Sequence, residues 1–362
     1  MRHRTWWVVI LGAAVLVSLA LYLVPILQGM DDKGFRVGIS NGFVGNNWRN
    51  QMLESLNTAI TTYEAQGLIQ EVIIKNAGED VNNQILQIKH LIANRVDLLL
   101  IDPNSRDGLN DVIREARSKG ILVVVFDQNV SSTDAVQLTV NQKEWGAMLG
   151  TWLGETLTGR GNVLLMSGVK NQPCNNDRVE GIRRSLANYP AITILEEVFG
   201  NWDQATAKKQ MTEALYRHPH IDGILSQDGM ALGVLQAYEA ADRSPPVMTG
   251  ETMNAFLEKS IEMSSKSDFQ TYALTNPPGI GASALSLGLL LMTRDWLPDT
   301  GGSAIQLFYP VREIHIHKGM ADTDGPMTKG LGTQYMDEWM NMTEIEAQFF
   351  PSGFHGVEGA GT

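Results

Sequence analysis

Val37-Gly38-Ile39-Ser40-Asn41-Gly42-Phe43-Val44-Gly45-Asn46-Asn47-Trp48-Arg49 is a short apolar run that ends in small and polar residues. A long amphipathic run, Asn50 to Glu64, comes directly after it. This order predicts a buried parallel strand, a loop at its carboxyl end, and then a helix. Open α/β sheets bind ligands outside the carboxyl ends of their strands, where loop side chains and helix N-terminal amides converge. The loop here offers Asn46, Asn47, Trp48 and Arg49. Amides and a guanidinium hydrogen-bond hydroxyls, and an indole covers an apolar ring face, so the set suits a hydroxyl-rich ligand. The alternative is that Trp48 only packs beneath its own helix. Taken alone that alternative is the better one; similar loops after later strands weigh against it.

Working outward, the chain after Gly34 alternates short β-rich runs with helical ones. Strands are expected at 36–40, 70–76, 97–101, 121–126, 136–140, 161–167, 193–199, 221–226, 246–250, 270–275 and 305–316. Between most of them apolar residues recur at helical spacing, as in Ile85, Ile88, Leu91 and Ile92, or Met211, Leu215 and Tyr216. Leu98-Leu99-Leu100-Ile101 and Val123-Val124-Val125-Phe126 are apolar on both faces, as covered parallel strands must be. Repeated β-α-β crossovers imply doubly wound parallel sheets, and this many strands is best divided into two. The segment 319–362 falls outside the pattern. Its middle, Tyr335 to Phe350, is expected to form a short helix.

Composition narrows the function. The chain has 362 residues and a formal net charge of -12, which disfavours nucleic acid. Its single cysteine, Cys174, excludes an intrachain disulfide and a cysteine-based zinc cluster. Arg2, His3 and Arg4 precede a charge-free run from Trp6 to Leu27, close to the ~20 residues needed to span a bilayer. Basic residues before such a run place the chain beyond it outside the cytoplasm. Export is expected, with residues 1–34 either cleaved as a signal peptide or kept as a membrane anchor.

Motifs for chemistry are sparse. Gly279-Ile280-Gly281-Ala282-Ser283-Ala284 has a dinucleotide-like form, but Pro277-Pro278 precede it and the acidic residue Asp295 comes too early. Small residues at a helix start explain it more simply. There is no P-loop, no G-x-S-x-G elbow and no H-E-x-x-H, so no cofactor and no resident metal are expected. His315 and His317 alternate on one strand face without a third ligand nearby in sequence, and a solvated or packed pair is the simpler reading. Cys174 lies far in sequence from any histidine base and reads as an inert thiol.

What remains is a series of strand-end loops: Asp127-Gln128-Asn129, Asn141-Gln142, Asn176-Asp177-Arg178, Asn201-Trp202-Asp203, Gln227-Asp228, Gly250-Glu251-Thr252 and Thr275-Asn276. Each alone serves equally as a helix cap, and Asp203 and Asn254 are good N-cap types. Together they gather carboxylates, amides and aromatics on the edge that bears ligands, where Trp48 and Trp202 suit the two faces of a sugar ring.

In these residues the chain resembles the periplasmic sugar-binding proteins of ABC importers, ribose-binding type. The likeness runs from about Phe35 to Lys318. It is carried by the Asn-Asn-Trp-Arg loop, by Ile121-Leu122-Val123-Val124-Val125-Phe126-Asp127, by Asp177-Arg178-Val179-Glu180-Gly181-Ile182, and above all by Gln227-Asp228-Gly229-Met230-Ala231-Leu232-Gly233. The resemblance implies a type I fold: two doubly wound lobes joined by a three-crossover hinge, with crossings near 140–142, 275–276 and 306–311. One lobe would comprise 35–140 plus 276–306, the other 141–275 plus 307–318. Two departures stand out. Gln128 replaces the arginine that follows the ligand aspartate in ribose binders, and Glu251 stands where that family often has an aspartate.

The function so implied is a non-enzymatic, monomeric binding protein in the periplasm that hands a neutral sugar or polyol to a membrane permease. Its ligand set would be Asn46, Asn47, Trp48, Arg49, Asp127, Gln128, Asn176, Arg178, Trp202, Gln227, Asp228, Glu251, Thr275 and Asn276. The alternatives are a membrane-tethered sugar sensor and, against the absence of a nucleophile–base pair, an enzyme on the same scaffold.

Overall fold

The computed structural model describes residues 34–294, 303–323 and 332–351. The apolar run Trp6–Leu27, with its reading as signal or anchor, lies outside them. No helix among the described residues is long and apolar enough to cross a membrane.

The chain builds two α/β lobes. The first half holds strands β1 (Phe35–Asn41), β2 (Ile69–Asn76), β3 (Leu98–Ile101), β4 (Leu122–Asp127) and β5 (Val136–Thr139), with helices α1 (Asn47–Ala65), α2 (Val81–Ala93) and α3 (Asn110–Ser118) between them. The next stretch holds α4 (Gln142–Thr156), β6 (Arg160–Ser167), α5 (Pro173–Leu186), β7 (Ala191–Phe199), α6 (Gln204–Arg217), β8 (Gly223–Ser226), α7 (Ala231–Ala240), β9 (Val247–Gly250), α8 (Asn254–Lys266) and β10 (Thr271–Leu274). Helix α9 (Ile280–Thr293) and strand β11 (Ile305–Phe308) return to the first lobe. Strands β12 (Glu313–His317) and β13 (Met320–Thr323) join the second, and α10 (Met342–Phe349) closes the described chain.

The first sheet has the order β11-β5-β4-β3-β1-β2 and the second β13-β12-β10-β9-β8-β6-β7. Ladders are parallel except for β12 on β10 and β13 on β12. Both sheets therefore contain the same doubly wound core, with switch points between β1 and β3 and between β6 and β8. That is where ligands bind in such sheets. Central strands such as β4 are buried at every residue because helices cover both faces.

The expected single strand 305–316 is two strands in two sheets. Tyr309 still donates its N–H to the Thr139 carbonyl on the first sheet, but Pro310 has no N–H to continue a ladder, and by Arg312 the backbone is bonded to Thr275. The third crossing thus occupies 309–312, and residues 307 and 308 pair with β5 of the first sheet rather than the second. The described residues after 318 likewise pack on the lobes. β13 extends the second sheet, and the helix begins at Met342 instead of near Tyr335, set by a capping box of Asn341 and Glu344. Helix α10 covers α9, whose residues Ile280 to Leu291 are all buried. A helix without a polar face needs such a cover. Its Gly281 packs on Met52 of α1, consistent with close packing as the role of the small-residue run.

Candidate functional site

Helix α1 starts at Asn47 because Asn46 caps it, its Oδ1 accepting the Arg49 N–H at 2.8 Å. The loop read from sequence is therefore partly the first turn of the helix, and Trp48 and Arg49 stand on that turn. Trp48 is buried and donates its indole N–H to the Asn276 carbonyl at 2.6 Å, on the second crossing. Arg49, also buried, pairs with Asp102 at the end of β3 and, at 3.1 Å, with Asp127 at the end of β4. Its guanidinium lies over the rings of Phe43 and Trp48, at 4.7 and 5.1 Å.

The second lobe supplies the facing wall. Arg178 on α5 donates from Nη1 to Asp228 at 2.6 Å and from Nε to Gln142 at 2.7 Å, and stacks 4.0 Å over the Trp145 ring. Its Nη2 is buried and has no hydrogen-bond partner among the described residues. Asn276 donates to Asp228 at 3.2 Å, which ties the crossing to the same acid. Trp202 lies beyond the end of β7, and its indole N–H reaches Gln227 Oε1 at 3.3 Å, while Gln227 itself donates to Asn175. Asp127 and Trp202 both hold left-handed backbone, with φ of 61° and 52°, a costly conformation for such residues that recurs at ligand sites.

The Trp202 ring lies so close to Gly168 that a Cβ there would collide with it. Gly168→Ala should displace the indole and weaken ligand binding about tenfold, with little change in overall secondary structure by circular dichroism. Wild-type affinity in this variant would show that the ring position does not matter.

These side chains line one cavity with about 30 Å³ of room, formed by Asn46, Trp48, Arg49, Asp127, Cys174, Arg178, Trp202, Asp228, Asn276 and Tyr335. Three buried acids, Asp102, Asp127 and Asp228, meet two buried guanidiniums, Arg49 and Arg178. Burial pushes the Asp127 carboxyl up, against the pull of Arg49 and Arg178. Burial is also the largest influence on Arg178 and opposes its charge, yet Asp228, with help from Asp127, leaves it more basic than usual. Burial lowers the Arg49 pKa despite Asp127, though a guanidinium stays protonated in proteins.

Of the residues selected from sequence, Asn46, Trp48, Arg49, Asp127, Arg178, Trp202, Asp228 and Asn276 come together around this cavity. The others do not line it. Asn47 and Asn176 are exposed. Gln128 is buried and accepts the Cys174 N–H at 3.3 Å, one lobe touching the other. Gln227 stands behind Trp202. Thr275 accepts the Arg312 N–H and, through its carbonyl, the Trp145 indole N–H, as part of the crossings. Glu251 is fully buried beneath the site and accepts the Ala231 N–H at 3.4 Å; burial, then Asp228, push its carboxyl well above the usual range. Asn254 is the first residue of α8 rather than its cap, which is Met253, whereas Asp203 does cap α6.

Sequence reasoning missed Asp102, Cys174 as a wall residue, and Tyr335. The Ile101-Asp102 step at the end of a buried strand was a usable signal for the first. His315 lies 4.6 Å from the Tyr272 ring, a packed position.

Comparison with known proteins agrees with this architecture. A periplasmic binding protein domain matches residues 37–294. A xylitol-binding protein of Mycolicibacterium smegmatis is 29% identical over 222 residues, 60% of this chain and 62% of that one. A D-apiose import binding protein of Paraburkholderia graminis is 26% identical over 189 residues, 51% of this chain and 61% of that one. The matches thus span about three fifths of these relatives. A solved structure, an ABC transporter solute binding protein from Thermobispora bispora, superimposes with a TM-score of 0.70 at 30% identity, over 76% of this chain and 84% of that one. These relatives are binding proteins, not enzymes. With the matched domain covering most of both lobes, the chain belongs to the periplasmic binding protein family.

Proposed function

We propose that this protein is an exported solute-binding protein that encloses a neutral sugar or polyol between its lobes and delivers it to the membrane permease of an ABC importer. One observation carries the reading: a single cavity is walled by Trp48, Arg49 and Asp127 from one lobe and by Arg178, Trp202 and Asp228 from the other. A ligand touching both walls is enclosed only when the lobes close, and hinge closure around ligands is the established mode of periplasmic binding proteins. The relatives named for xylitol and apiose support a small polyhydroxylated ligand. In this reading carboxylates accept hydroxyl hydrogens, Arg178 Nη2 donates to a hydroxyl oxygen, and the indoles cover apolar ring or chain faces. Its place is outside the cytoplasm, free or tethered according to the fate of residues 1–34.

The two guanidiniums of the cavity wall are already matched by Asp127 and Asp228, with Asp102 also on Arg49, so no positive charge is left over for an anionic ligand. A thermal-shift screen of xylitol, pentoses and hexoses, with calorimetry on the hits, should find a neutral ligand that raises the melting temperature. Its phosphate ester should bind about tenfold more weakly or worse, because like charges brought together in a desolvated site repel. Tighter binding of the ester would overturn the charge argument, and no response to any neutral polyol or sugar would overturn the proposal.

A further inference from the structure

The tail beyond β13 carries no recognisable motif, yet it reaches both lobes and the cavity. Against the second lobe it is held by backbone hydrogen bonds. Asn254 donates its N–H to the Gln334 carbonyl and Ala255 to that of Gly332, both at 2.8 Å, and Met336 donates to the Thr252 carbonyl at 3.0 Å. Met253 and Tyr335 pair there as an antiparallel bridge. Against the first lobe, Gln51 of α1 brackets the same residue: its Nε2 donates to the Tyr335 carbonyl at 3.0 Å and its Oε1 accepts the Tyr335 N–H at 2.8 Å. The next residues stay on that lobe. Asp337 accepts from Ser55 and from the Gly279 N–H, both at 2.5 Å. The Glu338 carbonyl accepts the Tyr309 hydroxyl at 2.5 Å, and the Met340 N–H reaches Ser283 at 2.8 Å.

Tyr335, at the middle of this bridge, is 4% exposed and forms part of the cavity wall. Its hydroxyl end lies beside Gly229, where a Cβ would come within 3.2 Å of it, next to Asp228. Gly229 holds φ +73, so the site favours glycine there on both counts.

We propose that residues 332–340 form a strap joining the lobes beside the three crossings, and that it carries Tyr335 into the cavity as a ligand-contacting residue. The second half of this proposal rests on the solute-binding reading. The first half does not. Opening the lobes must part either the Gln51–Tyr335 pair or the bonds of Gln334 and Met336 to Asn254 and Thr252, because neighbouring residues of the strap are bonded to different lobes. The strap therefore favours the closed state and adds one aromatic and one hydroxyl to the recognition surface.

The full-length chain allows both halves to be tested. Cys174 is its only cysteine and is buried in the cavity wall, so the rate of maleimide labelling reads lobe opening. Gln51→Ala, which leaves the cavity wall intact, should label several-fold faster than wild type. A wild-type labelling rate overturns the strap. For the contact, xylitol, D-ribose and D-galactose serve as calorimetric probes. The tightest of them should bind Tyr335→Ala about tenfold more weakly and Tyr335→Phe about two- to tenfold more weakly, the scale of one hydrogen bond. Wild-type affinity in both variants overturns the contact. If Tyr335→Ala does not fold, Tyr335→Phe, which keeps the ring, decides alone. A wild-type protein that binds no sugar or polyol sinks the solute-binding reading and the contact with it, while the labelling rate of Gln51→Ala still decides the strap.

Discussion

Arg178→Ala should lower the free energy of unfolding by about 3–5 kcal/mol, the range for breaking a buried ion pair by removing one partner. Arg178 is fully buried, and its loss leaves Asp228 and Gln142 without their strongest donor and the Trp145 face without its stacked cation. Ligand binding should disappear in the same variant, because the guanidinium is both a wall of the cavity and the group that orients Asp228. Urea denaturation of the ligand-free protein measures the first effect and calorimetry the second. Adding Asp228→Asn should recover part of the lost stability, since the uncompensated buried charge is then gone, but should not restore binding. A loss of stability below about 1 kcal/mol, with binding retained, would place this pair outside the site and make it dispensable to the lobe.

Trp202→Ala should weaken binding by about 1–3 kcal/mol, the worth of one large apolar side chain, or roughly five- to 150-fold in affinity. The indole is only half-buried in the ligand-free chain and its N–H bonds to Gln227, so the second lobe's core does not depend on it as it does on Met166, Met230 or Phe256. Stability should change little. Because a ligand shifts the open–closed balance only by its differential affinity for the closed form, the variant should also close less completely at a given ligand concentration. Small-angle scattering with and without saturating ligand reads this directly. Tight binding by wild type with no compaction would refute closure, and unfolding of Trp202→Ala would make the ring structural.

How far the sequence reaches is clearest at particular residues. The runs at 98–101 and 123–126 are apolar on both faces, and that local property points to buried parallel strands. The strand–loop–helix order places candidate groups at their carboxyl ends, which is why the cavity-wall residues Trp48, Arg49, Asp127, Arg178, Trp202 and Asp228 were legible one loop at a time. Ile280 to Leu291, apolar apart from Ser283 and Ser286, form a helix buried along this whole length, and such a helix needs a cover on its outer side. Its identity, the helix after Asn341, is a matter of packing between segments far apart in sequence.

Only the tertiary structure decided how the strand-end residues divide their work. Gln128, Gln227 and Glu251 are of the same chemical types as the wall residues and occupy the same loops, but the packing turns them toward supporting bonds. Periodicity reports which face of an element is buried, not whether a buried polar group meets a cavity or another side chain. The split of 305–316 depends on which sheet edge each half meets, and Tyr335 depends on Gln51, 284 residues away. Such contacts are set by the closure of two lobes upon each other, a long-range event that leaves no periodic trace in the chain.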